Sequence, residues 1–567
     1  MEKKLNLRSN FDEGTTRWAV RRTQWKELGL SDEDMLKPKI AVINASADFS
    51  CCYIHVPKVS QAVQEAIREA GGIPFEVRTV APSDFVTSAG KKARYLMPTR
   101  DLMVNEIECM VEGAVLDGIV CLTSCDKTTP AHLMAAGRLN IPTILLTCGY
   151  QIGGETTDTK EFVDIDDVYE AIGSVACGKM SLEHLYNMTD NAIKNPGVCA
   201  GLGTANSMHI VAEAIGMALP GNAPILADSP KLYEYAKKAG HRIVDMVKEN
   251  LCPRDIITKE SVENAIMTVL AVGGSVNTVR HLSAVVEEAE IDMNVIETYE
   301  KYADKVHLLT AVRPNGPYRT EDMEAAGGTN AVLKRLESVL NLNCMTVAGT
   351  TVRENIKDTV VKDENVIKTL EKPQNLKPGV GILRGNLCPN GAIVKLSAVP
   401  NNIPSFNGTA KIYDGEDEAI AGLGKGEIKE GDVVVLRNQG PKGGPGTVFA
   451  CSFVAALNGA ELGSKVAVVT DGELSGLNRG IIIGQVMPEA AVGGPLAVVK
   501  NNDLIKIDFV NRTMNIDISE KELKERMANW KAIERELEPG YLAQYYELVQ
   551  PIERGAVLGK RNYREKK

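Results

Sequence analysis

Short apolar runs alternate with helical patterns through the first part of the chain. The apolar runs predict buried strands at 39–44 (KIAVIN), 118–124 (GIVCLTS) and 141–148 (IPTILLTC). Helical patterns lie between or after them, at 57–70, 130–139, 207–218 and 262–270. Strand, loop and helix in this order are typical of a parallel sheet that is covered on both faces. We therefore predict an α/β fold class, with an amino-terminal domain over residues 1–356.

The hydrophobic pattern changes after a charged segment, 357–378, which contains two prolines and is typical of a linker. The apolar runs that follow are short and separated by turns, at 379–383, 392–396, 410–413, 432–436, 466–470, 504–508 and 514–518. Few helical patterns interrupt them, so we predict a β-barrel domain over 379–540 rather than an open sheet. A capping box at 519–522 predicts a helix through about Arg535. The tyrosines of 541–567 predict a tail that docks on the protein.

Composition and charge narrow the class of protein. Of the 567 residues, 44% are apolar and 24% are charged, as in ordinary globular proteins, which excludes disordered, collagen-like and coiled-coil chains. The net charge of -10 argues against nucleic acid or an anionic membrane as the main partner. No apolar run reaches the length of a membrane span, about 18 residues, and the first residues lack the apolar core of a signal peptide. We therefore expect a cytoplasmic protein.

Cysteine is the residue type that first suggests chemistry. The chain has twelve, at positions 51, 52, 109, 121, 125, 148, 177, 199, 252, 344, 388 and 451. In a reducing compartment they are expected to be free thiols, packing residues or metal ligands, and not disulfides. No CxxC pair occurs, so a zinc ribbon is not indicated.

Some of these cysteines lie in equivalent loops. Cys51 and Cys52 follow the first predicted strand, Cys125 lies where a strand ends and a helix begins, and Cys199 lies in a glycine-rich loop before a helix. Ligands of open α/β sheets bind at the carboxyl ends of the strands, and a helix N-terminus favours a thiolate. Three thiolates meeting there on iron would leave one coordination position open. From the pattern alone, ligation and a structural role for these cysteines both remain open.

Motifs around these cysteines carry a family resemblance. The segments SCDKTTP (124–130) and GVCAGLGTANSM (197–208) resemble the dihydroxy-acid dehydratase and sugar-acid (aldonate) dehydratase family. Further matches keep the same order along nearly the whole chain, at 29–44, 253–266, 273–282, 383–395, 440–446, 470–480 and 488–499. The resemblance implies a hydro-lyase that removes water from a 2,3-dihydroxycarboxylate to give a 2-keto acid. It also implies an active site between an α/β domain and a β-barrel, in a homodimer or homotetramer.

The resemblance further implies an iron–sulfur cluster that is bound by three cysteines. Cys52 is followed by the sequence YIHV, which fits the first ligand of the [2Fe–2S] members, so Cys52 is preferred to Cys51. Cys125 and Cys199 are the other two implied ligands. Some members lack the first cysteine and are associated with a [4Fe–4S] cluster, so its presence favours [2Fe–2S].

A magnesium ion near the cluster is also implied. Its ligands would be Asp84, Asp126 and Lys127, with the lysine carrying a CO₂-derived carbamate. An unmodified lysine is a cation and a poor ligand, whereas the carbamate offers the oxygen donors that Mg²⁺ prefers. Without the resemblance, Asp126 would be interpreted as a helix cap and Lys127 as a solvated surface lysine.

The implied catalytic residues are Ser475, as the base at C2, and Lys127. A free serine is too weak a base at neutral pH, so Ser475 must lose its proton beside a metal or cluster. Ser275 and Asn277, in GGSVN, are predicted to line the substrate pocket. GPKGGPG lacks the order of a phosphate loop, and GLG at 201–203 lacks the third glycine of a dinucleotide fingerprint, which argues against ATP and NAD.

Three positions depart from the family pattern. Phe449 stands three residues after GPG, where members carry a glutamate that binds Mg²⁺, and a phenyl ring cannot coordinate a metal. Leu477 and Val276 stand where members have less apolar residues, so the pocket should be less polar. We therefore expect a family member with a shifted substrate or an altered metal requirement.

Alternatives remain for the substrate and for the class of function. The substrate is a branched 2,3-dihydroxy acid or an aldonic sugar acid, because different motifs favour each. The alternative function is a catalytically altered or inactive member that binds a small acid or senses redox state through its cluster. A third possibility is an α/β binding or structural protein without a cluster.

Overall fold

The computed structural model describes residues 6–90, 93–176, 178–447, 450–475, 479–533 and 537–559. Four parallel strands form the sheet of the first domain: β1 (Lys39–Asn44), β2 (Ile73–Arg78), β3 (Gly118–Thr123) and β4 (Thr143–Thr147). Their order is β2–β1–β3–β4. Every residue of β1, β3 and β4 is buried, so both faces are covered and these strands are continuous apolar runs. The apolar pattern does not predict β2, an edge strand with two exposed positions.

Helices connect and cover this sheet. They are α1 (Thr16–Glu27), α2 (Val56–Glu69), α3 (Leu96–Ala114), α4 (Thr128–Leu139), α5 (Ile165–Ala176), α6 (Leu182–Asn191), α7 (Thr204–Ile215), α8 (Pro230–Glu249), α9 (Pro253–Ile256), α10 (Lys259–Val272), α11 (Asn277–Glu288), α12 (Val295–Ala303), α13 (Thr320–Ala326), α14 (Gly328–Arg335) and α15 (Val352–Ile356). A short ribbon pairs β5 (Gly154–Glu155) with β6 (Phe162–Val163). α7 and α11 are buried along their whole length, so their polar side chains lie in the interior. Within the described part of the chain, no helix is both long and apolar enough to cross a bilayer.

Eight strands of the second domain close into a barrel: β7 (Gly381–Gly385), β8 (Cys388–Val394), β9 (Ser405–Tyr413), β10 (Asp432–Leu436), β11 (Ala467–Thr470), β12 (Ile481–Met487), β13 (Leu504–Asp508) and β14 (Thr513–Ile516). Their order is β10–β11–β12–β8–β7–β14–β13–β9. Strands β9 to β12 are parallel neighbours, with α16 (Glu416–Gly424) and α17 (Cys451–Gly459) in the connections. The apolar runs do not predict β12, which a bulge at 484–487 interrupts. The predicted fold class, a parallel-sheet α/β domain followed by a β-barrel, is confirmed.

Helix α18 (Glu520–Ala528) begins after the predicted cap, since Ser519 Oγ accepts a hydrogen bond from the Glu522 amide at 3.1 Å. It ends earlier than the sequence predicts. The Asn529 backbone N–H donates to the Glu525 carbonyl at 3.2 Å, and the Asn529 side-chain Nδ2 donates to the same carbonyl at 2.8 Å, so the side chain folds back on the helix end. The predicted end at Arg535 lies outside the described residues.

The last described helix, α19 (Tyr541–Leu548), packs on the first domain. Tyr541 Oη donates to the Pro98 carbonyl at 2.6 Å, and Tyr545 is fully buried. This contact joins the end of the chain to the start of α3.

The two domains meet closely where α5 crosses α17. A Cβ on Gly173 would lie 2.0 Å from the Ala455 carbonyl oxygen, and a Cβ on Gly459 would lie 2.1 Å from the Gly173 carbonyl carbon. Tyr169 Oη adds a hydrogen bond to the Cys451 carbonyl at 2.5 Å. The two glycines therefore allow backbone contact between the domains.

Candidate active site and metal centre

The site is built at the carboxyl edge of the parallel sheet. The loop after β1 carries Cys52, and the loop between β3 and α4 carries Cys125. Ser124 Oγ donates to the Cys52 carbonyl at 2.6 Å, which joins these two loops. On α7, the ring Nε2 of His209 donates to the Ser124 carbonyl at 3.0 Å. Since Cys199 lies just before α7, these bonds bring the third cysteine loop to the same edge.

The thiols of the three predicted cluster ligands lie together. Cys52 contacts the thiols of both Cys51 and Cys125, and Cys199 is close enough to Cys52 and Cys125 for their charges to interact. The contact with Cys52 and burial raise the pKa of Cys125 well above its usual value. Cys125 lowers the pKa of Cys52, but Cys51 and burial outweigh this effect and raise it to about 12. Such thiols become ligands only beside a strong positive charge, and sulfur donors of this kind suit an iron–sulfur cluster.

Cys51 differs from its neighbour. Its thiol faces the Gln151 side-chain oxygen at 3.6 Å, and the hydrogen bond with Cys52 lowers its pKa to about 7. Cys52, which is 6% exposed, is the one of the pair that contacts Cys125. Cys52 as the ligand in preference to Cys51 stays a prediction, and the deeper burial of Cys52 is consistent with it.

Carboxylates gather around a buried lysine beside the thiols. Lys127 Nζ is 3.4 Å from Asp84 Oδ2 and 4.0 Å from Asp126 Oδ2, and its side chain has no solvent exposure. Burial raises the pKa of Asp84 well above its usual value, and repulsion by Asp126 adds to the effect. One ligand atom each from Asp84, Cys125 and Asp126 lies within 4.8 Å of the others. Lys127 is therefore not a solvated surface residue, and the oxygen donors beside it suit Mg²⁺.

Glu473 also belongs to this group, although the sequence motifs did not identify it. It is fully buried, with Oε1 3.4 Å from Lys127 Nζ and Oε2 3.7 Å from Arg280 Nη1. Burial lowers the pKa of Lys127, but Asp84 and Glu473 outweigh it and raise the pKa, so an unmodified Lys127 is a cation here. The available signal was an acidic residue two positions before Ser475 in the motif DGELSG.

A cavity of about 480 Å³ opens onto this part of the site. Ser475, Asp84, Asp126 and Cys199 all line it. The predicted base, two predicted metal ligands and one predicted cluster ligand therefore face one space, although they come from distant parts of the chain.

The same cavity has an apolar part. Phe85 follows Asp84 in the chain, Leu96 opens α3, and Tyr169 and Ile172 come from α5. The Phe85 and Tyr169 rings are tilted against each other with centroids 6.1 Å apart. The cavity can therefore hold an acid with a charged end and an apolar end.

Ser275 and Asn277 support the site from behind the cavity. Asn277 Nδ2 donates to the Leu474 carbonyl at 2.7 Å and to Thr204 Oγ1 at 3.1 Å. Ser275 Oγ is hydrogen-bonded to the same Thr204 hydroxyl at 2.9 Å. Both side chains are fully buried, and neither is among the described residues that line the cavity. They act on the cavity through Thr204, which lines it, and through the residue that precedes Ser475.

Of the three positions that depart from the family pattern, the structure describes Val276. Phe449 and Leu477 lie outside the described residues. Val276 is buried directly before α11 and is not among the described cavity-lining residues, so its side chain contributes to packing.

Comparisons with known proteins cover both domains. The model of the dihydroxy-acid/6-phosphogluconate dehydratase N-terminal domain matches residues 37–355, and that of the C-terminal domain matches residues 365–556. A dihydroxy-acid dehydratase of Methanococcoides burtonii is 41% identical over 552 residues, covering 97% of this chain and 99% of that protein. One of Methanosarcina barkeri is 41% identical over 556 residues, covering 97% of this chain and 100% of that protein. One of Caldanaerobacter subterraneus is 41% identical over 533 residues, covering 94% of this chain and 95% of that protein.

Proposed function

The chain belongs to the dihydroxy-acid/6-phosphogluconate dehydratase family and is a hydro-lyase. We propose that it converts a branched 2,3-dihydroxycarboxylate into the corresponding 2-keto acid. One observation carries the proposal. A single cavity joins Ser475, the carboxylates of Asp84 and Asp126 and the Cys199 thiol to an apolar wall.

Loss of water from such an acid needs a base at C2 and an acid at the C3 hydroxyl. In its deprotonated form, Ser475 Oγ takes the C2 proton, and the electron pair of that C–H bond forms the C2=C3 double bond. The C3–O bond breaks, and the leaving hydroxide accepts the proton that Ser475 has taken from C2, so that it departs as water and Ser475 is deprotonated again. The resulting enol gains a proton at C3 and loses one from its oxygen, which gives the 2-keto acid.

The donor sets of the chain fit the cofactors that the family resemblance implies. Three thiols fit a [2Fe–2S] cluster, those of Cys52 and Cys125, which are buried, and that of Cys199, which is half-buried and lines the cavity. Asp84, Asp126 and a carbamylated Lys127 fit Mg²⁺, and Asp84 Oδ1 is buried and accepts no hydrogen bond from the described residues. When bound, these groups supply Lewis acidity toward the leaving hydroxyl and the substrate carboxylate.

The apolar wall favours a branched alkyl chain over a sugar acid. A polyhydroxylated chain would set some of its hydroxyl groups against Phe85, Leu96 and Ile172, although the lining also includes polar side chains such as Ser88 and Ser452. A branched alkyl group would instead bury apolar surface there. The aldonic sugar acid remains the other outcome of the test below.

The test is a comparison of dihydroxy acids on anaerobically purified protein. Formation of 2-keto acid is measured with a branched 2,3-dihydroxy acid and with a panel of aldonic acids. We expect a higher kcat/KM for the branched acid and no turnover by Ser475→Ala. The matched control is Ser283→Ala, because Ser283 Oγ bonds only within α11, to the Val279 carbonyl, among the described residues.

The outcomes separate the candidate functions. Greater kcat/KM for an aldonic acid would overturn the substrate assignment and leave the reaction class intact. An intact cluster with no turnover of any acid would favour a cluster-containing acid-binding or redox-sensing protein. A colourless, iron-free anaerobic preparation would favour a binding protein without a cluster. Assembly as a homodimer or homotetramer and a cytoplasmic location stay predictions of the family resemblance.

A further inference from the structure

The segment after β11 contains two buried carboxylates, and only one of them has hydrogen-bond donors. Asp471 accepts hydrogen bonds from the backbone amides of Asn438, Gln439 and Ala490 at 2.8–3.2 Å. Glu473 is equally buried, yet neither of its oxygens accepts a hydrogen bond from the described residues. A carboxylate buried in this way needs a positive charge beside it.

The positive charge nearest to Glu473 is shared with other carboxylates. Lys127 Nζ is 3.4 Å from Glu473 Oε1, and the same nitrogen is 3.4 Å from Asp84 and 4.0 Å from Asp126. Three carboxylates therefore surround one point. Asp84 and Asp126 come from the α/β domain, whereas Glu473 comes from the barrel.

We infer that Glu473 is the barrel's carboxylate ligand for the divalent cation and completes a set with Asp84, Asp126 and Lys127. The inference rests on the proposed function, because it takes Lys127 as a carbamate. With that modification, Asp84, Asp126, Glu473 and the carbamate form a cluster of anionic groups. Among the described residues, the Arg280 guanidinium lies beside one member of this cluster, 3.7 Å from Glu473. A divalent cation bound by the cluster would balance its remaining negative charge. Glu473 would then supply the carboxylate that Phe449 cannot.

Metal affinity tests this assignment without any measurement of turnover. The anaerobic holoenzyme is treated with EDTA, desalted and titrated with Mn²⁺, and free Mn²⁺ is followed by its electron paramagnetic resonance signal. We expect Glu473→Gln to weaken Mn²⁺ binding at least about tenfold while the iron content stays at the wild-type level. Glu473→Asp keeps the carboxylate on a shorter side chain, so its Mn²⁺ affinity should lie between those of the wild type and Glu473→Gln.

The matched control is Glu213→Gln. Glu213 is a buried carboxylate on α7 that accepts hydrogen bonds from the amides of Gly221 and Ala223 at 2.8 and 2.7 Å. It is not among the described residues that line the cavity, so Mn²⁺ affinity should not change.

Wild-type Mn²⁺ affinity in Glu473→Gln would overturn the inference and make Glu473 only a counter-ion of Arg280 and Lys127. If Glu473→Gln fails to fold, the Glu473→Asp titration decides, and unchanged affinity there overturns the inference equally. The proposed function fails on a separate readout, the absence of 2-keto acid from wild-type protein. Wild-type turnover together with unchanged Mn²⁺ affinity in the variant would refute only the role of Glu473.

Discussion

The crossing of α5 and α17 makes a substitution at Gly173 a sensitive test of how the domains form the cavity. A Cβ added in Gly173→Ala would lie 2.0 Å from the Ala455 carbonyl oxygen, whereas side-chain Cβ atoms do not approach other atoms closer than 3.0 Å. The opposing atom is backbone and cannot rotate away. The two helices must therefore separate by roughly 1 Å at this point.

The energetic effect is a balance of two terms. Overpacking of this kind costs about 1–3 kcal/mol, and alanine gains about 1 kcal/mol over glycine in a helix interior. Because the clash is with backbone, we expect the overpacking cost to lie in the upper part of its range. The free energy of unfolding should therefore fall by about 1–2 kcal/mol in total. Tyr169 and Ile172, which line the cavity, lie on the same helix and should move with it. KM for the preferred acid should therefore rise severalfold, with a smaller change in kcat.

The assay compares urea unfolding midpoints, followed by circular dichroism, and steady-state KM values. Midpoints are used because a two-domain chain need not unfold in one step. Gly113→Ala is the matched control, since Gly113 also lies in a helix, α3, and a Cβ there meets nothing within 4 Å. It should be as stable as the wild type or slightly more so. A Gly173→Ala midpoint equal to that of Gly113→Ala, with unchanged KM, would refute the argument from close backbone contact.

Three further predictions concern the site and the barrel. Asn277→Ala removes the hydrogen-bond donor to the Leu474 carbonyl, and leaving this carbonyl unpaired costs about 1–3 kcal/mol. We expect kcat to fall at least about tenfold with little change in KM. An unchanged kcat would show that Ser475 is held by other contacts. Cys52→Ser should lose most of the iron found by elemental analysis, whereas Cys51→Ser should keep it, and the reverse result would reassign the ligand. Burial raises the pKa of Glu489 from 4.5 to about 7, so the folded state holds this proton more tightly than the unfolded chain. The free energy of unfolding should then fall by up to roughly 3 kcal/mol as the pH rises from about 4.5 to about 7. Glu489→Gln should lose that part of the pH dependence in urea titrations, and an unchanged pH profile would contradict the assignment.

The central strands could be predicted because their environment is uniform. A strand buried on both faces must be apolar along its length, so β1 is visible as KIAVIN and its predicted limits agree with the structure. The edge strand β2 has exposed positions and so a weaker apolar signal. Strand β12 begins with three isoleucines and is fully buried, so its apolar run was available in the sequence although it was not among the predicted strands. Local periodicity thus predicts elements whose surroundings are simple.

The site could be predicted only in part. The motifs around Cys125 and Cys199 point to their loops, because a strand–loop–helix order places a loop at the ligand-binding edge whatever else surrounds it. Glu473 has no such signal, since a glutamate in a glycine-rich turn is ordinarily solvated. The role inferred for Glu473 rests on its complete burial beside Lys127, and this burial depends on how the barrel packs against the first domain.

The sequence by itself therefore determined the fold class and the family, because these depend on local pattern and on motifs that stay contiguous in the chain. The tertiary structure decided the rest. It buries Cys52 more deeply than Cys51, joins Asn277 by a hydrogen bond to the carbonyl of Leu474, and brings Glu473 to Lys127. The physical reason is that burial and charge pairing between residues hundreds of positions apart exist only after the two domains have packed.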